Sequence, residues 1–197
     1  MKDLKRWSVL TLCVVLFVPL NANAEWTQTA FPDGGAVRSF AVVGTDLFAA
    51  TDAGVYRTSD YGANWFATGL TGEAVSSLEV NDGRLFAGTN TGLLVSTDLG
   101  VTWRAAGISG QVMCVSVSDG RLWVAARSDI SPYSYLYRSN DNGDHWISIS
   151  TSGLYASDIA ARGNVVFLGS YTGVHASELM ETGYSPWYPI TTNTVRS

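Results

Sequence analysis

The sequence predicts an all-β chain, folded as a β-propeller or partial propeller of about four four-stranded antiparallel blades. Three observations predict it. The pattern S/T-x-D-x-G-x-x-W occurs three times, at Thr58 to Trp65, Ser96 to Trp103 and Ser139 to Trp146. Its Asp residues are 38 and then 43 residues apart, close to the length of ~40–45 residues typical of one propeller blade. Tryptophans recur at 26, 65, 103, 146 and 187, and between them lie short alternating runs separated by turn residues, the signature of consecutive hairpins.

The second unit is the clearest. Val75 to Val80 alternates as a strand, Asn81-Asp82-Gly83 makes a hairpin turn, and Arg84 to Gly88 returns. Thr89-Asn90-Thr91 turns again, Gly92 to Ser96 forms a third strand, the Asp pattern makes the next hairpin and Trp103 opens the fourth. The first unit repeats the plan in Gly44 to Gly54, and the third in Asp119 to Ala125. In the fourth, Asn164 to Gly169 and Gly173 to Ser177 keep their strands, while the pattern is eroded to a longer segment that retains Trp187. The repeat units thus run over about 26–65, 66–103, 104–146 and 147–187.

Residues 1–24 read as a signal peptide: Lys2, Lys5 and Arg6, then an apolar stretch from Val9 to Leu20, then Asn21-Ala22-Asn23-Ala24 as the cleavage site. That stretch is too short to span a bilayer, so the expected product is a secreted or periplasmic protein with no stable membrane anchor. The whole chain carries a formal net charge of −5, and removing the basic leader makes the remainder more acidic still. Such a balance argues against nucleic acid as a partner, because that binding draws on clustered positive charge. After processing only Cys114 remains, in the alternating run Val112 to Val117, where a small buried thiol is the expected state.

The chemistry of the repeated pattern is local. An Asp in a turn accepts hydrogen bonds from nearby backbone N–H groups, the Gly supplies a positive φ, and the Trp packs back over the hairpin. Asp60, Gly62 and Trp65, then Asp98, Gly100 and Trp103, then Asp141, Gly143 and Trp146 are therefore read as three structural braces on separate blades. No metal-ligand spacing is present, no cofactor is called for, and His145 and His175, the only histidines, form no catalytic constellation with the single mature cysteine.

The pattern resembles the Asp-box, or BNR repeat, of sialidases, related secreted propellers and the photosystem II assembly factor. The resemblance covers Trp26 to about Trp187 and implies a fold shared by enzymes, sugar binders and assembly scaffolds. Sialidases of the family carry Arg-Ile/Leu-Pro ahead of the first box. Here the corresponding arginine, Arg38, is followed by Ser39 and Phe40, so the catalytic motif is missing. Arg57 and Arg138 fall at equivalent strand ends, and Arg84 and Arg121 at equivalent turns, which marks both pairs as repeat features. The resemblance thus implies a non-catalytic binding or scaffold module. A degenerate sialidase-like glycosidase and an assembly factor for a membrane complex are the alternatives.

One connection departs from the repeat. The third unit has Arg127 to Tyr135 where the second has only Thr89-Asn90-Thr91. Such loops project from the face opposite the Asp hairpins, where propellers bind ligands. Arg127, Asp129, Tyr133 and Tyr135, with Tyr171 of the matching loop in the fourth unit, are the candidate ligand-binding residues; they offer stacking surface and hydrogen bonds to a protein or carbohydrate, the alternative being a tolerated insertion whose tyrosines cover an apolar edge. The ends allow two arrangements: four blades closing as a small ring with an end strand completing the seam, or a shortened version of a larger propeller that leaves two sheet edges open to edge-to-edge self-association.

Overall fold

The computed structural model describes residues 29, 31, 35–127, 134–180, 183–184 and 186–190. Four antiparallel sheets follow one another along the chain. The first holds β1 (Val37–Val43), β2 (Asp46–Thr51), β3 (Gly54–Thr58) and β4 (Phe66–Thr71); the second β5 (Val75–Asn81), β6 (Arg84–Thr89), β7 (Gly92–Ser96) and β8 (Arg104–Ser109). The third holds β9 (Gln111–Ser118), β10 (Arg121–Arg127), β11 (Ser134–Ser139) and β12 (Ile147–Ser150). In the fourth, β13 (Ala156–Arg162), β14 (Val165–Ser170) and β15 (Gly173–Met180) are in order, and β15 then pairs both β16 (Gly183–Tyr184) and β17 (Tyr188–Pro189). The eroded repeat accords with this split outer edge: without the Asp hairpin, β15 runs on to Met180 and its end pairs with β16. Residues 1–24, the expected leader, lie outside the described residues, and among those described no helix is long and apolar enough to cross a membrane.

Each sheet is a meander because each turn is encoded locally. Asp82 and Gly83 take φ of 45° and 73°, and Asp119 and Gly120 take 50° and 70°, the left-handed pair that a two-residue hairpin requires. At the opposite ends of the strands, the Thr51 and Thr89 hydroxyls accept from the N–H groups of Ala53 and Thr91 and donate to the carbonyls of Gly54 and Gly92. The hydroxyls close these tight turns without help from the rest of the fold.

The sheets pack face to face, with β1 on β5, β5 on β9 and β9 on β13. Period-two alternation gives each sheet a near face toward its predecessor and a far face toward its successor. Between the first and second sheets lie Phe48, Ala50 and Val55 against Leu78, Leu85 and Ala87. Between the second and third lie Phe86 and Leu93 against Val115, Leu122 and Val124, and between the third and fourth Trp123, Ala125 and Leu136 against Ile159, Val166 and Leu168. Phe48, Phe86 and Trp123 occupy one repeat position and are all essentially inaccessible to solvent. Burying each such ring stabilises the fold by about 1.5–3 kcal/mol. These are three interfaces among four sheets: no comparable packing joins β13 back to β1 among the described residues, so the four sheets form an open arc.

Small polar groups stitch the inner strands together. The Ser39 hydroxyl donates to the Leu78 carbonyl of the second sheet, and Ser77 donates to the Val115 carbonyl and accepts the Val115 N–H at 3.1 Å. Cys114 stands at the equivalent position of the third sheet, its thiol 3.4 Å from Asp158 Oδ1 of the fourth. Burial first, then the neighbouring carboxylate, pushes this thiol up to about 12. It is a half-buried strand residue whose surroundings disfavour the nucleophilic thiolate.

Candidate functional site

The three Asp hairpins lie between the third and fourth strands of their sheets and share one geometry. Asp60 Oδ1 accepts the Asn64 N–H at 2.9 Å and the Thr58 hydroxyl at 2.8 Å; Asp98 Oδ1 accepts the Thr102 N–H and the Ser96 hydroxyl at the same distances. Asp141 Oδ1 accepts the His145 N–H at 2.9 Å and the Ser139 hydroxyl at 2.7 Å. In every copy the other carboxylate oxygen meets the side chain four residues on: Asn64 Nδ2 at 2.8 Å, Thr102 Oγ1 at 2.6 Å and His145 Nδ1 at 2.6 Å. The hydroxyl that begins each pattern also accepts the N–H of its glycine, Gly62, Gly100 or Gly143. With their lone pairs committed to their own turns, the three Asp are poorly placed to act on a ligand. The side-chain donor at the seventh position of the pattern was readable as Asn, Thr or His, yet three different residue types disguised the shared role.

The tryptophans act between sheets as well as within the hairpin. Trp103 Nε1 donates to the Gly100 carbonyl of its own turn at 3.0 Å. Trp146 Nε1 reaches the Ala106 carbonyl of the second sheet at 2.7 Å, and Trp187 Nε1 the Ser150 carbonyl of the third at 3.0 Å. Trp65 Nε1, in the first sheet, is buried with no hydrogen-bond partner among the described residues. Arg57 and Arg138, equivalent in the repeat, lie over the Phe48 and Trp123 rings at 5.8 and 6.0 Å. Those contacts brace the sheets rather than face solvent.

The opposite face carries the tips between second and third strands. Asp52, Asn90 and Tyr171 occupy the same tip position in the first, second and fourth sheets. Asp52 Oδ1 is ion-paired with Arg38 Nη2 at 2.8 Å, and Asn90 accepts from Gln111 Nε2 at 3.3 Å. Together with Ser76 and Met113 they line a polar cleft of about 290 Å³ at the inner ends of the first three sheets. Tyr171 is 78% exposed and its ring stands 5.5 Å from that of Tyr155, which precedes β13. The Arg127 guanidinium lies 5.8 Å from the Tyr155 ring centre. A cation, a half-buried ring and an exposed ring therefore make one continuous surface between the third and fourth sheets.

Of the five candidate binding residues, the structure brings Arg127 and Tyr171 together through Tyr155. It sends Tyr135 the other way: Tyr135 pairs in register with Ala126, one residue from Arg127, so it faces the second sheet and its ring lies 6.5 Å from that of Tyr137. Asp129 and Tyr133 lie outside the described residues. Tyr155, which joins the cluster, was not among the candidates because it sits in a sheet-to-sheet connection, not in the enlarged loop. Arg38, Asp52, Asn90 and Gln111 were also missed, although the alignment of the strand-two-to-three tips could have found Asp52 and Asn90.

Successive four-stranded meanders stacked face to face, with their tips gathered on one side, define a β-propeller protein. The chain belongs to the family of the DUF6242 beta propeller domain, whose model matches residues 11–112. Solved structures agree on the fold. The extracellular domain of the one component system BT4673 from B. thetaiotaomicron matches with a TM-score of 0.68 at 16% identity, over 87% of this chain and 24% of that one. An ancestral GH74 enzyme matches at 0.61 and 20% identity, over 81% and 24% of the two chains. YCF48 bound to D1 peptide matches at 0.61 and 20% identity, over 88% and 60%. The chain thus spans about a quarter of the length of the first two of these proteins. No curated protein matches its sequence.

Proposed function

We propose that this protein is an exported binding or scaffold module, without a catalytic role, that captures a segment of a protein partner on the face opposite its Asp hairpins. The observation that carries this reading is the Arg127–Tyr155–Tyr171 cluster. Its exposed ring and flanking cation suit stacking on a side chain and hydrogen bonding to a backbone carbonyl or carboxylate, with little loss of side-chain freedom on binding. The polar cleft beside Arg38 and Asn90 extends the same face and offers further donors and acceptors. Two similar structures are complexes with polypeptides, YCF48 with D1 peptide and nidogen with laminin, which supports a protein partner over a carbohydrate. The Asp-box reading of the three hairpins, and a leader over residues 1–24 that directs export to the periplasm or beyond, belong to the same proposal.

The test is site-directed photocrosslinking in the producing cells, with the crosslinker at position 171 or, as control, at the exposed Tyr61 on the Asp-hairpin face. A discrete protein adduct at 171 that is absent at 61, and that Arg127→Ala weakens without lowering Tm, supports the reading. Equal adducts at both positions, or none at 171 while a sugar library binds, would sink it.

A further inference from the structure

The repeat shows three times what covers the near face of a sheet: the far face of another sheet. On near faces, Leu78, Val115 and Ile159 are buried at 1%, 2% and 5% exposure. Phe40 holds that position in the first sheet and is 59% exposed, with Val42 beside it at 61%. Far faces tell the same story. Val55, Leu93 and Leu136 are fully buried, whereas Val174 at the same position of the fourth sheet is 48% exposed. Phe167 takes the place of Phe48, Phe86 and Trp123 but lines an open groove of about 700 Å³ with Val165, Tyr188, Pro189 and Ile190, and Glu178 is the one charged residue in its lining. Among the described residues, two largely apolar sheet faces, one of each kind, are thus left unstacked at opposite ends of the arc.

The two faces are complementary by the molecule's own rule, since three internal interfaces join an aromatic of a far face to aliphatic residues of a near face. The outer part of the first sheet's near face is occupied by Phe31, whose ring packs at 5.4 Å from Tyr56 and 4.9 Å from Trp65. The inner part, around Phe40 and Val42, is open. A head-to-tail contact closes into a ring when the rotation per copy divides a full turn. The four described sheets do not close on themselves, and propellers hold roughly 4 to 8 blades. Two such sets of four reach the upper limit of that range and three would exceed it.

We propose that two copies of this protein close head to tail, the far face of each fourth sheet seated on the near face of the other's first, to form one eight-sheet ring. Phe167 of each copy then covers Phe40 and Val42 of the other. The two-fold axis coincides with the ring axis, so both Arg127–Tyr155–Tyr171 surfaces point to the same side. This assembly does not depend on what that surface binds.

Light scattering on the purified protein, with small-angle scattering for shape, should give twice the monomer mass and a closed disc. Phe40→Glu and Phe167→Glu should each give a monomer that still melts cooperatively. An equimolar mixture of the two variants should recover a heterodimer in native mass spectrometry, because one of its two contacts pairs a wild-type near face with a wild-type far face. Should Phe167→Glu lose its cooperative melt, Ile190→Glu at the rim of the groove replaces it. A wild-type monomer at 100 µM, which would leave these faces to a different protein or to further sheets, overturns the proposal. So do a dimer indifferent to both variants, a mixture that stays monomeric, and open-ended polymers.

Discussion

Phe86 of the second sheet lies directly beneath Gly143 in the Asp hairpin of the third: a Cβ on Gly143 would stand 2.7 Å from Phe86 Cε1. The same relationship links Phe48 with Gly100 one sheet earlier, where the separation is 3.6 Å. The hairpin glycine therefore does two things. It takes a left-handed φ of 83°, and it lets the aromatic of the preceding sheet reach under the turn.

Gly143→Ala should consequently cost more than an ordinary turn substitution. The left-handed backbone penalises a side chain by about 1–2 kcal/mol, and forcing a methyl group against a packed ring adds about 1–3 kcal/mol. We expect a loss of about 2–5 kcal/mol in denaturant unfolding. Gly120→Ala is the control: its φ is 70° but nothing lies within 4 Å of its added Cβ, so only the backbone cost of about 1–2 kcal/mol should appear. Equal losses at the two positions would mean that the Phe86 contact is not tight.

The Asp hairpins should make the fold acid-sensitive within a defined window. Hydrogen bonds from the Asn64 side chain, then its backbone N–H, hold the Asp60 carboxyl down to about 2. Asp98 is lowered first by the Thr102 hydroxyl, and Asp141 is held well below the carboxylate range first by the His145 N–H. A carboxyl depressed in the folded state contributes stability that is present above its unfolded pKa, near 3.9, and lost as pH falls through its folded value. Tm should therefore hold from pH 7 to about pH 4 and fall between pH 4 and 2. Asp60→Asn should lower Tm at pH 7, because the new amide faces the Asn64 Nδ2 donor, and should make the acid fall shallower. An unchanged acid slope in Asp60→Asn would show that the turn carboxylates do not set it.

How much of this was legible in the sequence follows from the range of each interaction. Turn chemistry is local, so Asn81-Asp82-Gly83 and the Asp patterns fixed the strand boundaries to within about a residue; β8 begins at Arg104, one residue after Trp103. The Phe86–Gly143 contact spans a whole repeat and leaves no local signature. The placement of the candidate binding residues was illegible for a simpler reason. Arg127 and Tyr135 are close in sequence, but Tyr135 sits opposite Ala126, and period-two alternation puts the two side chains on opposite faces of the third sheet. Arg127 and Tyr171 meet only because Tyr155 bridges two sheets, a contact set by stacking and not by any spacing along the chain.

Comparison of the three hairpins yields a stabilising substitution. The residue between Asp and Gly is Tyr61, Leu99 or Asn142, and all three take a left-handed φ of 56–58°. Asn is the residue that adopts this conformation most readily after Gly, because its short polar side chain bonds locally to the backbone. Leu99 is compensated by packing against the core between the first two sheets. Tyr61 has no such return, since it is 98% exposed. Tyr61→Asn should therefore raise stability by about 0.5–1 kcal/mol, the usual gain when backbone strain is relieved without loss of packing. Leu99→Asn should lower it, because the relieved strain is outweighed by lost apolar contact. The pair is read by parallel denaturant titrations, and a gain in Leu99→Asn or a loss in Tyr61→Asn would show that the turn is not strained at this position.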